Sequence, residues 1–129
     1  MKYALLITAP AHSSQGSRTA LRFASTVVER GHTLERVFFY GDAVHAATDL
    51  SVAPQDETDL TAAWAKLAAR TEAELLVCVG ASLRRGLLDE TEAKRYRKSH
   101  FNLHASFEIA GLGQLVEASQ TCDRVVTFS

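Results

Sequence analysis

The chain has 129 residues, of which 47% are hydrophobic and 22% are charged, so it suits one globular domain with an apolar core. Its 14 basic and 15 acidic residues give a net charge of −1, which argues against direct nucleic-acid binding, although RRG and KRYRK are local basic stretches. The start lacks a signal-peptide pattern, and no run reaches the ~18 apolar residues of a membrane span, so we expect a cytoplasmic protein with no membrane contact.

The first third of the chain predicts a strand, a helix and a second strand. An apolar run at 3–9 that ends at a proline is typical of a buried strand, and the small polar residues at 9–17 predict a loop. Apolar residues at helical spacing predict a helix over 17–31, where Gly31 stands at the position of a C-terminal cap. Aromatic and β-branched residues predict a strand over 34–40. This order is a βαβ unit, which implies parallel pairing and a right-handed crossover.

The middle of the chain continues the alternation. Residues 41–50 could form a short helix, and 51–57 is typical of a linker. An apolar stripe and acidic residues at the start predict a helix over 58–72. A continuous apolar run predicts a central parallel strand over 74–80.

The last third predicts two further helices and two further strands. Residues 88–99 are charged nearly all round and predict an exposed helix, and 106–111 predict a short strand. Residues 112–122 predict a helix and 123–128 a final strand. The residues in register on the helix over 112–122 are Leu112, Leu115, Val116 and Ser119. We therefore expect an α/β fold, a three-layer α/β/α sandwich with a mostly parallel sheet of four to five strands, in a single domain over 1–129.

Cys78 is the residue in the best position for chemistry. It lies near the end of the predicted strand 74–80, and binding sites in open α/β sheets gather outside the carboxyl ends of the strands. A helix N-terminus stabilises a thiolate, which is the nucleophilic form, and Arg84 and Arg85 could add positive potential if the turn brings them back. Free cysteine is also among the most buried residue types, so an inert core thiol is the alternative.

The other candidates carry weaker signals. The loop 9–17 lacks both glycine-rich phosphate fingerprints, which argues against a nucleotide or phosphate site. His12 in that loop could act as a base for a thiol, but lone loop histidines are commonly solvated surface. No histidine has metal-ligand spacing, so we expect no metal. Cys122 is expected to pack, and its spacing from Cys78 does not suggest the redox pair that two thiols could form.

Several stretches together resemble the TusD branch of the DsrE-like sulfur-relay family. They are VFFYGDAV, LLVCVGASLRRGLLDETEA and GLGQLVEASQTCDRVVTF, and the opening LLITAPAHSSQGSRTALRFA also fits. The resemblance covers essentially the whole chain. Its most specific part is the cysteine strand that runs into ASLRRG and then DETEA.

The resemblance implies a sulfurtransferase that carries sulfur as a persulfide on Cys78, in a relay for 2-thiouridine synthesis on tRNA. It implies a heterohexamer with TusB-like and TusC-like subunits, a TusA-like sulfur donor and a TusE-like acceptor, and no cofactor. The family uses one thiol, so Cys122 inherits no role, and the position of His12 need not be histidine. Two alternatives stay open: a DsrE-type subunit that traffics sulfur in sulfur oxidation, and a non-catalytic scaffolding subunit with an inert Cys78.

Overall fold

Five strands form one sheet at the centre of the computed structural model, which describes all 129 residues. The strands are β1 (Lys2–Ile7), β2 (Thr33–Phe39), β3 (Glu74–Cys78), β4 (Phe107–Ala110) and β5 (Arg124–Phe128). Their order is β4-β3-β2-β1-β5, and every pairing is parallel. The α/β fold is therefore confirmed, with five strands and a sheet that is parallel throughout.

The connections between the strands are helical. The helices are α1 (Gln15–Glu29), a 3-10 helix (Gly41–Ala47), α2 (Leu60–Ala69), α3 (Val79–Arg84), α4 (Glu90–Arg95) and α5 (Gly113–Thr121). Side chains of Ser14, Asp59 and Asp89 accept hydrogen bonds from backbone N–H groups in the first turns of α1, α2 and α4. These are the residue types that stabilise helix N-termini, which explains why the three helices begin where they do.

One face of the sheet carries most of the core. Phe39 of β2 packs edge-on against Trp64 of α2, with ring centroids 5.4 Å apart, and against Phe107 of β4 at 5.5 Å. Helix α1 covers the same face, where its small buried residues Ala20 and Ala24 allow close approach to the strands. Consecutive right-handed crossovers in one direction place successive helices on one face of a parallel sheet.

The opposite face is covered by α5, the helix of the single connection that runs back across the sheet. Arg36 of β2 links this helix to the sheet. Its guanidinium donates to the Glu74 carboxylate at 2.9 Å, to the Gln114 carbonyl oxygen at 2.9 Å and to the Glu117 carboxylate at 3.0 Å. Helices therefore lie on both faces, as a three-layer sandwich requires.

Two predicted helices differ from the structure. Helix α4 has six residues rather than the whole of 88–99, and it is not exposed all round because Glu92 and Ala93 are buried. Ala118 is the buried residue of α5, whereas Val116 is 56% exposed and Leu112, the N-cap residue before the helix, is 50% exposed. Helical periodicity identifies residues that share a side of a helix, but it does not determine whether that side meets the chain's own core.

Candidate functional site

Cys78 is the last residue of β3 and the N-cap of α3. The predicted strand 74–80 is therefore two residues too long, because Val79 and Gly80 already belong to the helix. The backbone of Cys78 is extended, with φ −60° and ψ 128°, and the residue pairs with Ala110 of β4. The strand thus delivers the thiol to the carboxyl edge of the sheet, at the beginning of a short helix.

The Cys78 side chain is buried. It is 6% exposed, forms no disulfide and takes part in no hydrogen bond. Its neighbours along the chain are small or apolar, and Ala81 of the first turn of α3 is buried in the same core cluster. Little of this residue is therefore open to a reactant, which makes accessibility the property to test.

The two arginines after Cys78 have different environments. Arg84 is exposed and folds back along α3, so that a Cβ atom at Gly80 would lie 3.1 Å from its Nη1. Arg85 instead donates through Nε to the Asp42 carboxylate at 2.8 Å and through Nη1 to the Ala81 carbonyl oxygen at 3.1 Å. Arg84 thus brings a guanidinium without a counterion over the first turn of α3, whereas the charge of Arg85 is balanced by Asp42.

His12 does not lie beside the thiol. It is exposed, in the loop after β1, and β2 separates β1 from the strand that carries Cys78. It lines a shallow depression of about 240 Å³ together with Asp42 and His45. This placement gives His12 no direct contact through which it could take a proton from Cys78.

Cys122 lies at the opposite edge of the sheet, between the end of α5 and the start of β5. A five-residue strand spans about 16 Å, so the two thiols cannot form a redox pair in this fold. The Cys122 thiol donates a hydrogen bond to the Glu35 carboxylate at 2.8 Å. Burial and the adjacent carboxylate raise the pKa of Cys122 to about 11, and the same hydrogen bond lowers the pKa of Glu35.

Sequence reasoning missed Tyr40 and Leu112 as neighbours of the site. Tyr40 extends β2 by one residue, since its N–H donates to the Ile7 carbonyl oxygen at 2.9 Å, and its side chain is 43% exposed. The alternation of side chains along strands places Tyr40 on the same face of the sheet as Cys78. Leu112 follows two residues after Ala110, the strand partner of Cys78. An aromatic residue at a strand end is typical of a core, so the exposure of Tyr40 was not predictable from its residue type.

No group of three or more His, Cys, Asp or Glu side chains is arranged to hold a metal ion. None of the helices combines the length and the apolar character needed to cross a bilayer.

Comparisons with known proteins cover nearly the whole chain. A family model described as DsrE/DsrF-like matches residues 1–128. Proteins named Sulfurtransferase TusD from Salmonella dublin, Salmonella enteritidis PT4 and Salmonella paratyphi B are each 47% identical to this chain over 128 residues, which is 99% of this chain and 100% of theirs.

The fold has a solved counterpart as well. The crystal structure of the ychN protein from E. coli matches with a TM-score of 0.78 over 99% of this chain and 100% of that chain, and at 21% identity it shows the fold alone. The family model matches residues 1–128, and the relatives named above are matched over their full length. The chain therefore belongs to the DsrE/DsrF-like family.

Proposed function

We propose that Cys78 is the residue on which this sulfurtransferase carries sulfur, as a persulfide, in a relay that serves 2-thiouridine synthesis on tRNA. Sulfur transfer is the activity in the name of the full-length relatives at 47% identity. The observation that carries the assignment is the position of Cys78 at the carboxyl edge of a parallel sheet and at the N-cap of α3. The other thiol, Cys122, is held as a protonated donor to Glu35 at 2.8 Å and so is unsuited to nucleophilic attack.

The chemistry consists of two exchanges at a sulfur centre. The Cys78 thiolate attacks the outer sulfur of a donor persulfide, R–S–SH. A new S–S bond forms, the donor's S–S bond breaks, and the donor leaves as the thiolate R–S⁻. An acceptor thiolate then attacks the outer sulfur of Cys78–S–SH, and Cys78 leaves as a thiolate. The outer sulfur and its proton pass along together, so the relay needs no external oxidant or reductant.

The partners follow from the same proposal. TusB-like and TusC-like subunits would assemble with the chain into a heterohexamer in the cytoplasm, a TusA-like protein would give the sulfur, and a TusE-like protein would take it. The exposed Leu112 and Val116 on α5 support an assembly of this kind, because apolar side chains on a helix surface gain stability when a partner covers them. The thiol that removes the sulfur from Cys78 belongs to the acceptor protein, so the chain needs only one cysteine at this edge of the sheet.

The assignment is tested by intact mass after incubation with a low-molecular-weight persulfide. The wild-type chain should gain one sulfur atom, Cys122→Ser should gain it as well, and Cys78→Ser should not. The Cys122→Ser variant is the matched control, since it removes a thiol of the same chain at the opposite edge of the sheet. If Cys78→Ser gains sulfur as the wild type does, the assignment of Cys78 is wrong.

The burial of Cys78 favours one alternative, a scaffolding subunit with an inert thiol. A structural cysteine reacts slowly with a small alkylating reagent in the folded state, whereas a relay cysteine reacts quickly. The rate of alkylation at Cys78 should therefore approach that of the unfolded chain in urea. A rate in the folded protein about a thousandfold below that of the unfolded chain would favour the scaffolding function, since it is the rate expected when labelling needs extensive opening.

A further inference from the structure

A cavity lies on the surface between α3 and α4. It has a volume of about 530 Å³ and is lined by Leu83, Arg84, Gly86, Leu88, Tyr96 and Lys98. Two leucines and an aromatic ring form its apolar part, and the ring of Tyr96 is 52% exposed. The cavity is an open groove with an apolar floor, which suits a chain segment better than a small charged ligand.

The rim of the groove is basic. Arg84 and Lys98 line the groove, and Arg97 stands between Tyr96 and Lys98 in the chain. All three are exposed and form no ion pair, whereas the nearby Lys94 and Arg95 are paired with Glu90 and Glu92 of the same helix. No acidic residue lines the groove, although the chain as a whole has a net charge of −1. The groove therefore has an apolar floor and positive charge that no side chain of this protein neutralises.

Arg97, between Tyr96 and Lys98 in the chain, has a strained backbone conformation. It is the only non-glycine residue with positive φ, at 57°, and it follows the last turn of α4. The backbone forms the turn that normally takes glycine there, since the Lys98 N–H donates to the Ala93 carbonyl oxygen at 2.8 Å and the Arg97 N–H to the Lys94 carbonyl oxygen at 3.2 Å. Glycine at this position would relieve backbone strain but would remove a cation from between Tyr96 and Lys98.

The groove lies close to the proposed sulfur carrier along the chain. Arg84 reaches back from the groove to the first turn of α3, which begins directly after Cys78. Arg84 lies six positions after Cys78, which along a helix is a rise of about 9 Å. About three residues of extended chain span that distance, so a segment held in the groove could place its next residues beside the first turn of α3, next to the thiol.

We propose that this groove binds an acidic chain segment, carrying at least one apolar side chain, of the protein that takes sulfur from Cys78. The proposal rests on the proposed function for the identity of that protein, but the binding itself does not. The apolar side chain lies on Leu83, Leu88 and Tyr96, and the acidic residues pair with Arg84, Arg97 and Lys98. Charge complementarity favours a protein that presents carboxylates over a second copy of this chain, which would bring the same basic rim.

Binding is measured by fluorescence anisotropy with labelled peptides of about ten residues, long enough when extended to follow the groove. One peptide contains glutamates around a single leucine, and a matched peptide has lysine in place of every glutamate; both end in serine. The acidic peptide should bind at low salt and the basic peptide should not. The double variant Arg97→Glu, Lys98→Glu should weaken binding by about tenfold or more. The control is Arg22→Glu, Arg30→Glu, two exposed residues at α1 that make the same change in net charge, and this variant should bind the acidic peptide as the wild type does.

Other results would overturn the proposal. Equal binding of both peptides, or equal loss in the two double variants, would show that the rim has no local role. Tighter binding of a single-stranded oligonucleotide than of the acidic peptide would make the groove a nucleic-acid site, and concentration-dependent dimers that the Arg97→Glu, Lys98→Glu variant abolishes would make it a self-association face.

A second measurement separates this proposal from the function it builds on. With the terminal serine replaced by cysteine, the acidic peptide should take sulfur from loaded Cys78 faster than the basic peptide, and the Arg97→Glu, Lys98→Glu variant should lose the difference. Loading of Cys78 by a small persulfide should be unchanged in that variant. Failure of loading in the wild type refutes the sulfur-carrying function, whereas normal loading without a preference for the acidic peptide refutes only the groove.

Discussion

Replacement of Glu35 by glutamine should activate Cys122, the thiol that the relay does not use. The Cys122 pKa is about 11 instead of 9.0 because of burial first and then the hydrogen bond and charge of Glu35. At pH 8 a thiol with a pKa of about 11 is about one-thousandth thiolate, and one with a pKa of 9.0 is about one-tenth. Glutamine keeps the shape and an acceptor oxygen but removes the charge, so the pKa should fall part of the way toward 9.0 while burial maintains the rest.

The thiolate fraction of Cys122 should therefore rise by less than the hundredfold that a full return to 9.0 would give, and by about tenfold if half of the shift is lost. Nucleophilicity falls as a thiol becomes more acidic, which reduces a tenfold gain in thiolate to a gain of about threefold in alkylation rate. The assay is alkylation with iodoacetamide at pH 8, with each cysteine followed by peptide mass, and Cys78 in the same sample is the internal control. If Cys122 of the wild type reacts as fast as in the unfolded chain, the carboxylate does not hold the proton and the reasoning is wrong.

The same pair determines how stability responds to alkaline pH. The folded state raises the Cys122 pKa, so it binds the proton more tightly than the unfolded state does. The contribution of this thiol to the free energy of unfolding is therefore complete below pH 9.0 and is lost as the pH rises toward about 11. Urea unfolding at several pH values between these limits should show a smaller decline for Cys122→Ser than for the wild type, and equal declines would contradict the coupling.

Three substitutions test the packing of the fold by urea unfolding. Gly16→Ala should destabilise by about 1–3 kcal/mol despite the higher helix propensity of alanine, because a Cβ there would lie 2.7 Å from that of Ala9; greater stability would contradict the close approach. Arg97→Gly should stabilise by about 1 kcal/mol because glycine tolerates positive φ, and a loss of stability would mean that the side chain makes a contact worth more than the strain. Arg36→Met should destabilise by about 2–3 kcal/mol, since it leaves the Gln114 carbonyl and two carboxylates without their donor; no change would show that α5 is held by its apolar contacts alone.

Local sequence patterns predict most of the fold. The five strands and the helices between them follow from apolar runs, from helical spacing and from turn residues, each of which depends on a few neighbouring residues. Local patterns do not determine where an element ends. β3 stops at Cys78 because α3 begins at the next residue, and an apolar residue such as Val79 suits a strand and a helix equally. Helix α4 was predicted too long and too exposed, since the burial of Glu92 depends on what packs over it.

The sequence predicts where Cys78 lies in the sheet but not which side chains surround it. Cys78 at the end of a parallel strand follows from sequence order, whereas its 6% exposure depends on side chains brought together by the fold. Arg85 is balanced by Asp42 across 43 positions, and Cys122 is held by Glu35 across 87, and no local pattern reports such pairs. Arg84 was the exception, since a helical turn suffices to return its side chain over Gly80.

The order of strands has a consequence for folding during translation. β1 lies between β2 and β5, so the first strand to leave the ribosome keeps one edge unpaired until the last strand has been made. Pairing β1 with β5 closes a loop of nearly the whole chain, which is slow. During that time the open edge of β1 can pair with another nascent chain. Synthesis rate and chaperone capture should therefore affect the yield of this protein more than that of a chain whose neighbouring strands are all consecutive.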